Sequence, residues 1–290
     1  MMSIARPYRS VLYIPGSRES ALLKARSLAT DAIIFDLEDA VAPDAKTEAR
    51  ALLKRELSDG GYGARARLVR INGLDTEWGH DDLQALVPTA PDAILLPKVE
   101  TPQQVAVVAE HISNVPAAAA TRVWAMMETP AGILNATAIA AAPGMGGFVL
   151  GTNDLAKDLG CRYRADRLPL QTALQTCLLA ARAAGIACVD GVYNAFKDES
   201  GLRAECEQGR DLGMDGKTLI HPAQLSVANE VFAPDSTEVE LAERQISAFE
   251  TALAQGEGVA VVDGKIVENL HVETARATLA KARAIAELEA

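Results

Sequence analysis

The amino-acid sequence predicts a (β/α)₈ barrel with a C-terminal helix–hairpin–helix extension. Eight short apolar runs are spread along the chain, helical segments separate them, and polar residues follow the runs at their carboxyl ends. Nearly continuous apolar runs are typical of parallel strands that are covered on both faces, and strands alternating with helices in this number favour a closed barrel. An open doubly wound sheet is the alternative, although no GxGxxG motif follows the first run.

The apolar runs give the predicted strands in chain order. They are residues 10–14, 32–35, 67–71, 93–96, 123–127, 148–150, 187–189 and 217–220. Between them, several segments place apolar residues at the i, i+3, i+4 spacing of an amphipathic helix. The clearest are residues 20–28, 101–111, 169–184 and 200–212. We therefore expect a catalytic barrel domain over residues 1–230.

The composition changes after about residue 230, and residues 231–290 form the predicted extension. Residues 236–253 indicate an amphipathic helix that opens on a Ser/Thr cap with acidic residues in its first turn. Asp263-Gly264 joins two apolar runs, which is the signature of a two-residue hairpin turn, and residues 270–289 indicate a closing helix. So small a unit buries little surface alone, so we expect it to pack on the barrel mouth or on a neighbouring subunit.

Composition and charge restrict the class of protein. The 290 residues are 49% hydrophobic and 23% charged, as in a globular domain, and the formal net charge is −11. An acidic chain argues against nucleic acid as a main partner, but an anionic substrate in a locally basic pocket remains open. The four cysteines have no metal-ligand spacing, which favours free thiols in a reducing compartment. We find no signal core or membrane-length apolar stretch, and we expect a cytoplasmic protein.

The segment 122–155 carries the strongest functional signal. An apolar run ends in Glu128, Pro130 opens an Ala-rich helical stretch, residues 143–147 indicate a turn, and a second run leads to Asp154. Carboxylates at the ends of neighbouring parallel strands repel each other unless a cation lies between them. Mg²⁺ holding waters and substrate oxygens is the simplest occupant, and Mn²⁺ is an alternative. The competing interpretation is that both carboxylates are solvated loop residues.

Further polar groups follow the other strands, at the face where barrel active sites lie. They include Arg18, Asp36, Glu38, Asp39, Arg70, Lys98, Asp190, Asn194 and His221. A role in stability alone does not explain why polar residues cluster at one end of otherwise apolar strands. We therefore expect a functional site at this end of the barrel.

Seven motifs resemble the citrate lyase β-subunit-like (CitE-like, HpcH/HpaI) superfamily. They are FDLEDAV at 35–41, VRING at 69–73, PKVE at 97–100, ETP at 128–130, GTNDL at 151–155, DGVYN at 190–194 and KTLIHP at 217–222. The C-terminal extension is similar to the lid of the malyl-CoA lyase branch. The resemblance implies a Mg²⁺-dependent barrel, commonly trimeric or hexameric, that acts on CoA thioesters. It also implies that the extension covers the site of a neighbouring subunit.

The resemblance assigns roles to individual residues. It implies that Glu128 and Asp154 are the metal ligands and that Arg70 holds the carbonyl or enolate oxygen of the substrate, which suits a permanently charged guanidinium. A salt bridge of Arg70 with Glu38 or Asp39 is the competing interpretation. The two are compatible, because these acids can orient Arg70 and accept hydrogen bonds from metal-bound water. Asp36 is expected either to orient such a group or to cap a helix.

Residues of the first strand and helix lie where the family contacts CoA. They are Tyr13, Pro15, Gly16, Ser17, Arg18 and Lys24. For Lys24, a solvated helix face is an equally good interpretation. His221 is expected to be a packed, hydrogen-bonded strand-end residue rather than a base.

One position departs from the family pattern. Many related enzymes carry an aspartate after the hairpin, which acts as acid or base in a neighbouring site, and Glu268 occupies that position here. The environment of a carboxyl group sets its pKa, so Glu268 can serve, but the added methylene changes its reach. The reaction type is therefore left open.

The leading hypothesis is a lyase that cleaves a 3-hydroxyacyl-CoA such as malyl-CoA, releasing glyoxylate and leaving a thioester enolate for Glu268 to protonate. Hydrolysis by a malyl-CoA thioesterase is the runner-up. A citrate lyase β-type subunit acting on a carrier-protein thioester, a free-acid aldolase and a non-catalytic CoA-binding paralogue are further alternatives. A single methyl group changes pocket affinity little, so the sequence does not separate malyl, methylmalyl and citramalyl substrates.

Overall fold

The computed structural model describes residues 6–289 and contains a closed barrel of eight parallel strands. Each strand pairs with the next along the chain, and β8 pairs with β1 through the matches of Ser10 with Lys217 and of Leu12 with Leu219. This closure confirms the predicted barrel and excludes the open sheet. The barrel strands are β1 (Ser10–Pro15), β2 (Ala32–Asp36), β3 (Ala66–Arg70), β4 (Ala93–Leu96), β5 (Arg122–Met127), β6 (Met145–Leu150), β7 (Ala187–Asp190) and β8 (Gly216–Leu219).

Helices follow the strands along the chain. They are α1 (Glu19–Ala25), α2 (Lys46–Asp59), α3 (Gly79–Leu86), α4 (Pro102–Ser113), α5 (Pro130–Leu134), α6 (Ala136–Ala140), α7 (Thr152–Leu159), α8 (Gln171–Ala184), α9 (Glu199–Leu212) and α10 (Leu225–Phe232). Single 3₁₀ turns form at Pro43–Ala45, Val87–Thr89, Pro116–Ala118 and Pro222–Gln224. The helix predicted after Pro130 is in fact two short helices, and the break falls at Asn135, whose side-chain amide donates to the carbonyl of Glu100.

The turn predicted at residues 143–147 is partly wrong, because β6 begins at Met145. The reversal of the chain is completed by Gly144, which has φ of 82°. Gly147 instead allows the strand to approach the ring of Trp124, since a Cβ there would lie 2.6 Å from Trp124 Cε2. Gly147 therefore marks close packing within the sheet, while Gly144 belongs to the turn.

The barrel interior is filled by alternate residues of the strands, as the twofold side-chain period requires. The indole of Trp124 packs edge-on against Tyr8, with ring centroids 5.0 Å apart. The buried interior residues are Val11, Ala32, Ile34, Ala66, Leu68, Ala93, Leu95, Trp124, Met126, Val149 and Val189. This packing closes the interior, so that open space is left at the carboxyl ends of the strands.

A smaller compact unit contains the chain from Glu230 onward. Its elements are α11 (Ser236–Ala254), β9 (Ala260–Val262), β10 (Lys265–Val267) and α12 (Asn269–Glu289). The predicted hairpin turn is confirmed, since Asp263 and Gly264 have φ of 50° and 75° and the strands pair antiparallel. Phe249, Val267 and Val272 form its small core. Its packing on a barrel mouth or a neighbouring subunit stays a prediction.

The four cysteines form no disulfide within residues 6–289, and three of them, Cys177, Cys188 and Cys206, are buried. No helix in the same part of the chain has both the length and the apolar character needed to cross a membrane.

Candidate active site

A cavity of about 350 Å³ opens at the carboxyl ends of the barrel strands. Its lining brings together residues that follow five different strands and that lie far apart in the sequence. Eight of the predicted site residues line it, namely Tyr13, Pro15, Asp36, Asp39, Arg70, Glu128, Asp154 and Asn194. The cavity therefore lies where barrel active sites lie.

Glu128 follows β5 directly and is 1% exposed. Its Oε1 accepts a hydrogen bond of 2.8 Å from the amide of Lys98, a residue that adopts a left-handed conformation with φ of 48°. Burial, with the nearby charge of Glu38, raises the pKa of Glu128 to about 7. A carboxylate this deeply buried is costly unless a cation compensates it.

Asp154 reaches the same cavity from a helix rather than from a strand end. It lies in the first turn of α7, which begins at Thr152, and it is half-buried. The strands β5 and β6 are neighbours, as predicted, and the amide of Gly151 donates to the carbonyl of Met127 at 3.1 Å. The two carboxylates are therefore presented to one space by adjacent strand–helix connections.

The donors at this cavity suit a hard divalent cation. Glu128 and Asp154 are carboxylates, and no histidine or cysteine among residues 6–289 lines the cavity. No cluster of three or more acidic, histidine or cysteine ligands occurs in that part of the chain either. Mg²⁺ is commonly held by one or two carboxylates and completes its shell with water and substrate oxygens, so the residues present fit it.

Arg70 lies at the end of β3 and is 6% exposed. Its Nε and Nη2 donate to the two carboxylate oxygens of Asp36 at 2.7 and 2.6 Å. Its Nη1 lies 2.7 Å from Glu38 Oε2 and 3.4 Å from Asp39 Oδ2, and the ring of Tyr13 lies 5.0 Å from the guanidinium carbon. The guanidinium is therefore fixed on one edge by Asp36, while Nη1 pairs closely with Glu38 and more loosely with Asp39.

Asp36 is the main partner of Arg70, and this pairing was not identified from the sequence. It is 2% exposed, and its carboxylate also accepts from the amides of Glu38 and Ala40. No helix begins at Asp36, so the helix-cap alternative is wrong and the orienting alternative holds. The register of β2 with β3 places Asp36 directly beside Arg70, and the sequence shows only that the two strands are neighbours.

Lys98 joins the network from the loop after β4; it was expected at this end of the barrel from the sequence, but no role was predicted for it. Its Nζ donates to Glu38 Oε1 at 3.0 Å, while its amide holds Glu128. Burial raises the pKa of Glu38, although Arg70 and Lys98 oppose this effect. Burial disfavours the charge of Lys98, but Glu38, Glu128 and Asp154 raise its pKa overall. Glu38 itself does not line the cavity and bridges the two cations behind it.

The residues expected to contact CoA fall into two groups. Tyr13 and Pro15 line the cavity, and the Tyr13 hydroxyl lies 3.6 Å from the Met126 sulfur. The others lie outside the cavity lining: Gly16 is buried with its amide bonded to the Asp36 carbonyl, and Ser17, Arg18 and Lys24 are exposed. Lys24 lies in the last turn of α1. Their role in binding CoA stays a prediction.

His221 is a hydrogen-bonded residue after β8 that packs on a neighbouring ring, as expected, although it is exposed to solvent. Its Nδ1 accepts the amide of Ala223, and its ring stacks on Phe196 at 4.6 Å. The role of Glu268 stays a prediction. Glu268 lies exposed in the C-terminal unit, where its amide donates to His271 Nδ1. These contacts give Glu268 a capping position at the start of α12.

Gly151 lies directly against the side chain of Glu128, and a Cβ added there would clash with Glu128 Oε2 and Cβ. We expect Gly151→Ala to displace the carboxylate and to weaken Mg²⁺ binding by about tenfold or more, as loss of a positioning partner does. Calorimetric titration with Mg²⁺ measures the effect. Gly258→Ala is the matched control, since nothing lies within 4 Å of its added Cβ. Equal Mg²⁺ affinity in both variants would contradict this account of Glu128.

A family model places the chain among known proteins. The HpcH/HpaI aldolase/citrate lyase model matches residues 9–222, which cover the whole barrel and the cavity. The chain belongs to this family. Within the HpcH/HpaI family, a (3S)-malyl-CoA thioesterase of Cereibacter sphaeroides is 65% identical over 282 residues, covering 97% of each chain.

More distant HpcH/HpaI relatives share the full length as well. The citrate lyase subunit beta of Escherichia coli K12 is 35% identical over 96% of this chain and 94% of its own. The structure of CitE from Mycobacterium tuberculosis in complex with magnesium, acetoacetate and coenzyme A superposes with a TM-score of 0.79. That protein is 31% identical, and the match covers 96% of this chain and 98% of the other. The similarity therefore includes the C-terminal helices.

Proposed function

We propose that this protein is a Mg²⁺-dependent hydrolase of a CoA thioester, with (3S)-malyl-CoA as the substrate class. One observation carries the proposal. This chain is 65% identical to a (3S)-malyl-CoA thioesterase over nearly its whole length, and its residues Glu128, Asp154 and Arg70 line one cavity. The CitE structure with magnesium and coenzyme A adds support for the metal and for the CoA ester.

In the proposed site, Glu128 and Asp154 hold the cation, and the amide of Lys98 fixes the orientation of Glu128. Mg²⁺, when bound, supplies a Lewis acid that polarises the substrate oxygens and orients the acyl group. The protein's contribution is to keep the two carboxylates together at a partly closed cavity. The close approach of Gly151 holds the Glu128 carboxylate in place.

Arg70 is the proposed stabiliser of the oxyanion that forms when water attacks the thioester carbonyl. Asp36 holds Nε and Nη2 and Glu38 pairs with Nη1, so the guanidinium is already oriented, and the side of Nη1 that faces Asp39 is presented to the substrate. The 3.4 Å contact from Nη1 to Asp39 is long for a charge-assisted hydrogen bond. An incoming carbonyl oxygen replaces this contact, and the fixed charge stabilises the transition state without reorganisation.

Asp39 is the proposed acceptor of the proton from the attacking water. It lines the cavity, is 64% exposed and lies beside Arg70. Attack of the water oxygen forms the C–O bond and Asp39 takes the proton. The C–S bond then breaks, and Asp39 returns the proton to the leaving sulfur as CoA thiol and the free acid are released. Glu38 has a positioning role in this scheme because it pairs with both Arg70 and Lys98.

Carbon–carbon cleavage of the same substrate is the second candidate. The match to citrate lyase subunit beta and the CitE complex with acetoacetate favour it. In this reaction Arg70 stabilises the thioester enolate, and Glu268 from a neighbouring subunit of a trimer or hexamer returns the proton. Tyr13, Pro15, Gly16, Ser17, Arg18 and Lys24 are the proposed CoA contacts in both reactions.

The products distinguish the two reactions. Purified protein is incubated with Mg²⁺ and (3S)-malyl-CoA, and free thiol, malate and glyoxylate are measured separately. We expect thiol and malate without glyoxylate, and Glu268→Gln should leave this hydrolysis intact. Glyoxylate without free thiol would contradict hydrolysis and support carbon–carbon cleavage. Loss of that activity in Glu268→Gln would then identify Glu268 as the proton donor. Absence of all three products would contradict both candidates.

Mg²⁺ binding is expected to depend on pH. Only the ionised form of Glu128 ligates the cation, and its pKa is raised to about 7, so affinity should fall by about tenfold for each pH unit below 7 and level off above pH 8. In the metal-free protein, the raised pKa of Glu128 has the opposite effect on the stability of the fold. Its contribution to stability is fully present below the ordinary pKa of 4.5 and is lost as pH rises through 7. Mg²⁺ titrations at pH 6, 7 and 8 check the first effect, and a pH-independent affinity would contradict it.

A further inference from the structure

A second cavity of about 410 Å³ lies beside the first, at the loops that follow β6 and β7. Thr152, Asn153, Val192 and Asn194 line both cavities. The side-chain amides of Asn153 and Asn194 exchange hydrogen bonds of 3.2 and 2.9 Å. This amide pair stands at the boundary between the two spaces, and the proposed reaction uses only the first.

The charge of the second cavity is opposite to that of the first. Three arginines line it, Arg162, Arg164 and Arg167, and Glu205 is the only acidic residue of the described chain among its lining residues. The first cavity is lined by Asp36, Asp39, Glu128 and Asp154. In a chain with a net charge of −11, a cavity with three arginines and one acid among its lining residues indicates a site for an anion.

Arg167 provides an independent observation. It is 5% exposed and adopts a left-handed conformation with φ of 50°. Its Nη1 donates to both oxygens of Asp190 at 2.8 Å, and its Nε donates to Gln208. Its Nη2 is buried and has no hydrogen-bond partner anywhere in residues 6–289. A buried guanidinium N–H without a partner is costly, which favours an acceptor that binds there.

The acidic residues around Arg167 are already shared. Lys217 is fully buried and donates to Asp190 at 3.2 Å and to Glu205 at 2.7 Å, so these two acids serve both Lys217 and Arg167. Arg164 is paired with Asp166 through contacts of 2.9 and 2.6 Å. Arg162 is exposed and adds a further positive charge. Apart from the Arg164–Asp166 pair, the cations are Arg162, Arg167 and Lys217, and the acids are Asp190 and Glu205. One positive charge is therefore left for a ligand.

We propose that the second cavity binds a small oxyanion, a carboxylate or a phosphate, between Arg162 and Arg167. Binding would give Arg167 Nη2 its missing acceptor and would neutralise the surplus charge. Two sources have this chemistry: the free acid released from the thioester, or inorganic phosphate. Because Asn153 and Asn194 line both cavities, an anion bound there would lie next to this amide pair.

Calorimetric titration of the full-length protein tests the proposal without turnover. The titrations use L-malate and inorganic phosphate separately, at constant ionic strength. EDTA removes divalent cations, so the carboxylates of the first cavity stay uncompensated and repel anions there. We expect saturable binding of at least one probe, weakened by about fivefold or more in Arg162→Gln through loss of a charged hydrogen bond. Arg122→Gln is the matched control, because it removes the same charge from an exposed residue at the other end of β5.

Arg167→Lys is a second variant, which keeps the charge beside Asp190 but removes Nη2, and it should also weaken binding. Saturation by malate alone identifies the released acid as the ligand, and saturation by phosphate identifies a general oxyanion site. No saturable binding of either probe, or equal binding by Arg162→Gln and Arg122→Gln, would overturn the proposal. Since no thioester is present, these outcomes do not depend on the proposed hydrolysis.

Discussion

Replacing Arg70 with alanine is expected to reduce turnover of the thioester by about 10³-fold while Mg²⁺ binding is retained. The guanidinium is the cation fixed at the cavity by the two hydrogen bonds that it donates to Asp36, and no other arginine of the described chain lines this space. The metal ligands do not depend on it directly, because Glu128 is held by the amide of Lys98. Thiol release measures turnover, and calorimetry measures Mg²⁺ affinity.

The alanine variant leaves Asp36 buried without its main cation, which can cost about 3–5 kcal/mol of stability. Arg70→Lys separates this effect from catalysis, since it keeps the charge but loses the fork that binds Asp36 and the substrate oxygen together. We expect Arg70→Lys to fold and still to lose most of its activity. Arg122→Lys, at an exposed position at the opposite end of the barrel, is the control. Full activity in folded Arg70→Ala or Arg70→Lys would reject the assigned role.

Glu128→Gln and Asp154→Asn are each expected to weaken Mg²⁺ binding strongly. The loss should exceed the roughly 10- to 100-fold that follows when a hydrogen-bond partner of a metal ligand is removed. Thiol release should then fall with Mg²⁺ occupancy and recover only partly at high Mg²⁺. Both substitutions preserve shape, and removing the buried charge of Glu128 should raise the stability of the metal-free protein near neutral pH.

Asp158 is the matched control for Asp154, because it lies one turn further along α7 and is exposed. Asp158→Asn should bind Mg²⁺ and release thiol as the unaltered protein does. Glu207→Gln, at an exposed position of α9, serves in the same way for Glu128. If Asp154→Asn and Asp158→Asn have the same Mg²⁺ affinity, Asp154 is not a metal ligand.

The barrel and the meeting of Glu128 with the segment after β6 that carries Asp154 could be predicted because both follow from chain order. Apolar runs in alternation with helices specify parallel neighbours, and parallel neighbours end at the same edge. The strand boundaries were less accurate where polar residues continue a strand, as Asp36 does in β2 and Asp190 does in β7. There the sheet hydrogen bonds extend beyond the apolar residues that marked the strand.

The partners within the site could not be predicted in the same way. The sequence places Glu38 and Asp39 as near to Arg70 as Asp36, and only the side-chain geometry distinguishes the bidentate contact of Asp36. Lys98 holds Glu128 through an amide that is available because the residue is left-handed, a conformation uncommon for lysine. Arg167 gave no sequence signal, since its importance lies in burial and in an unpaired nitrogen.

Electron paramagnetic resonance with Mn²⁺ in place of Mg²⁺ tests most directly whether the cation and the thioester share the cavity of Glu128, Asp154 and Arg70. We predict one tight Mn²⁺ per chain, displaced by Mg²⁺, with a signal that changes when (3S)-malyl-CoA is added to Arg70→Lys, in which turnover is slow. The double variant Glu128→Gln/Asp154→Asn should lose the bound signal. A bound Mn²⁺ signal that persists in the double variant, or that does not respond to the thioester, would contradict the account.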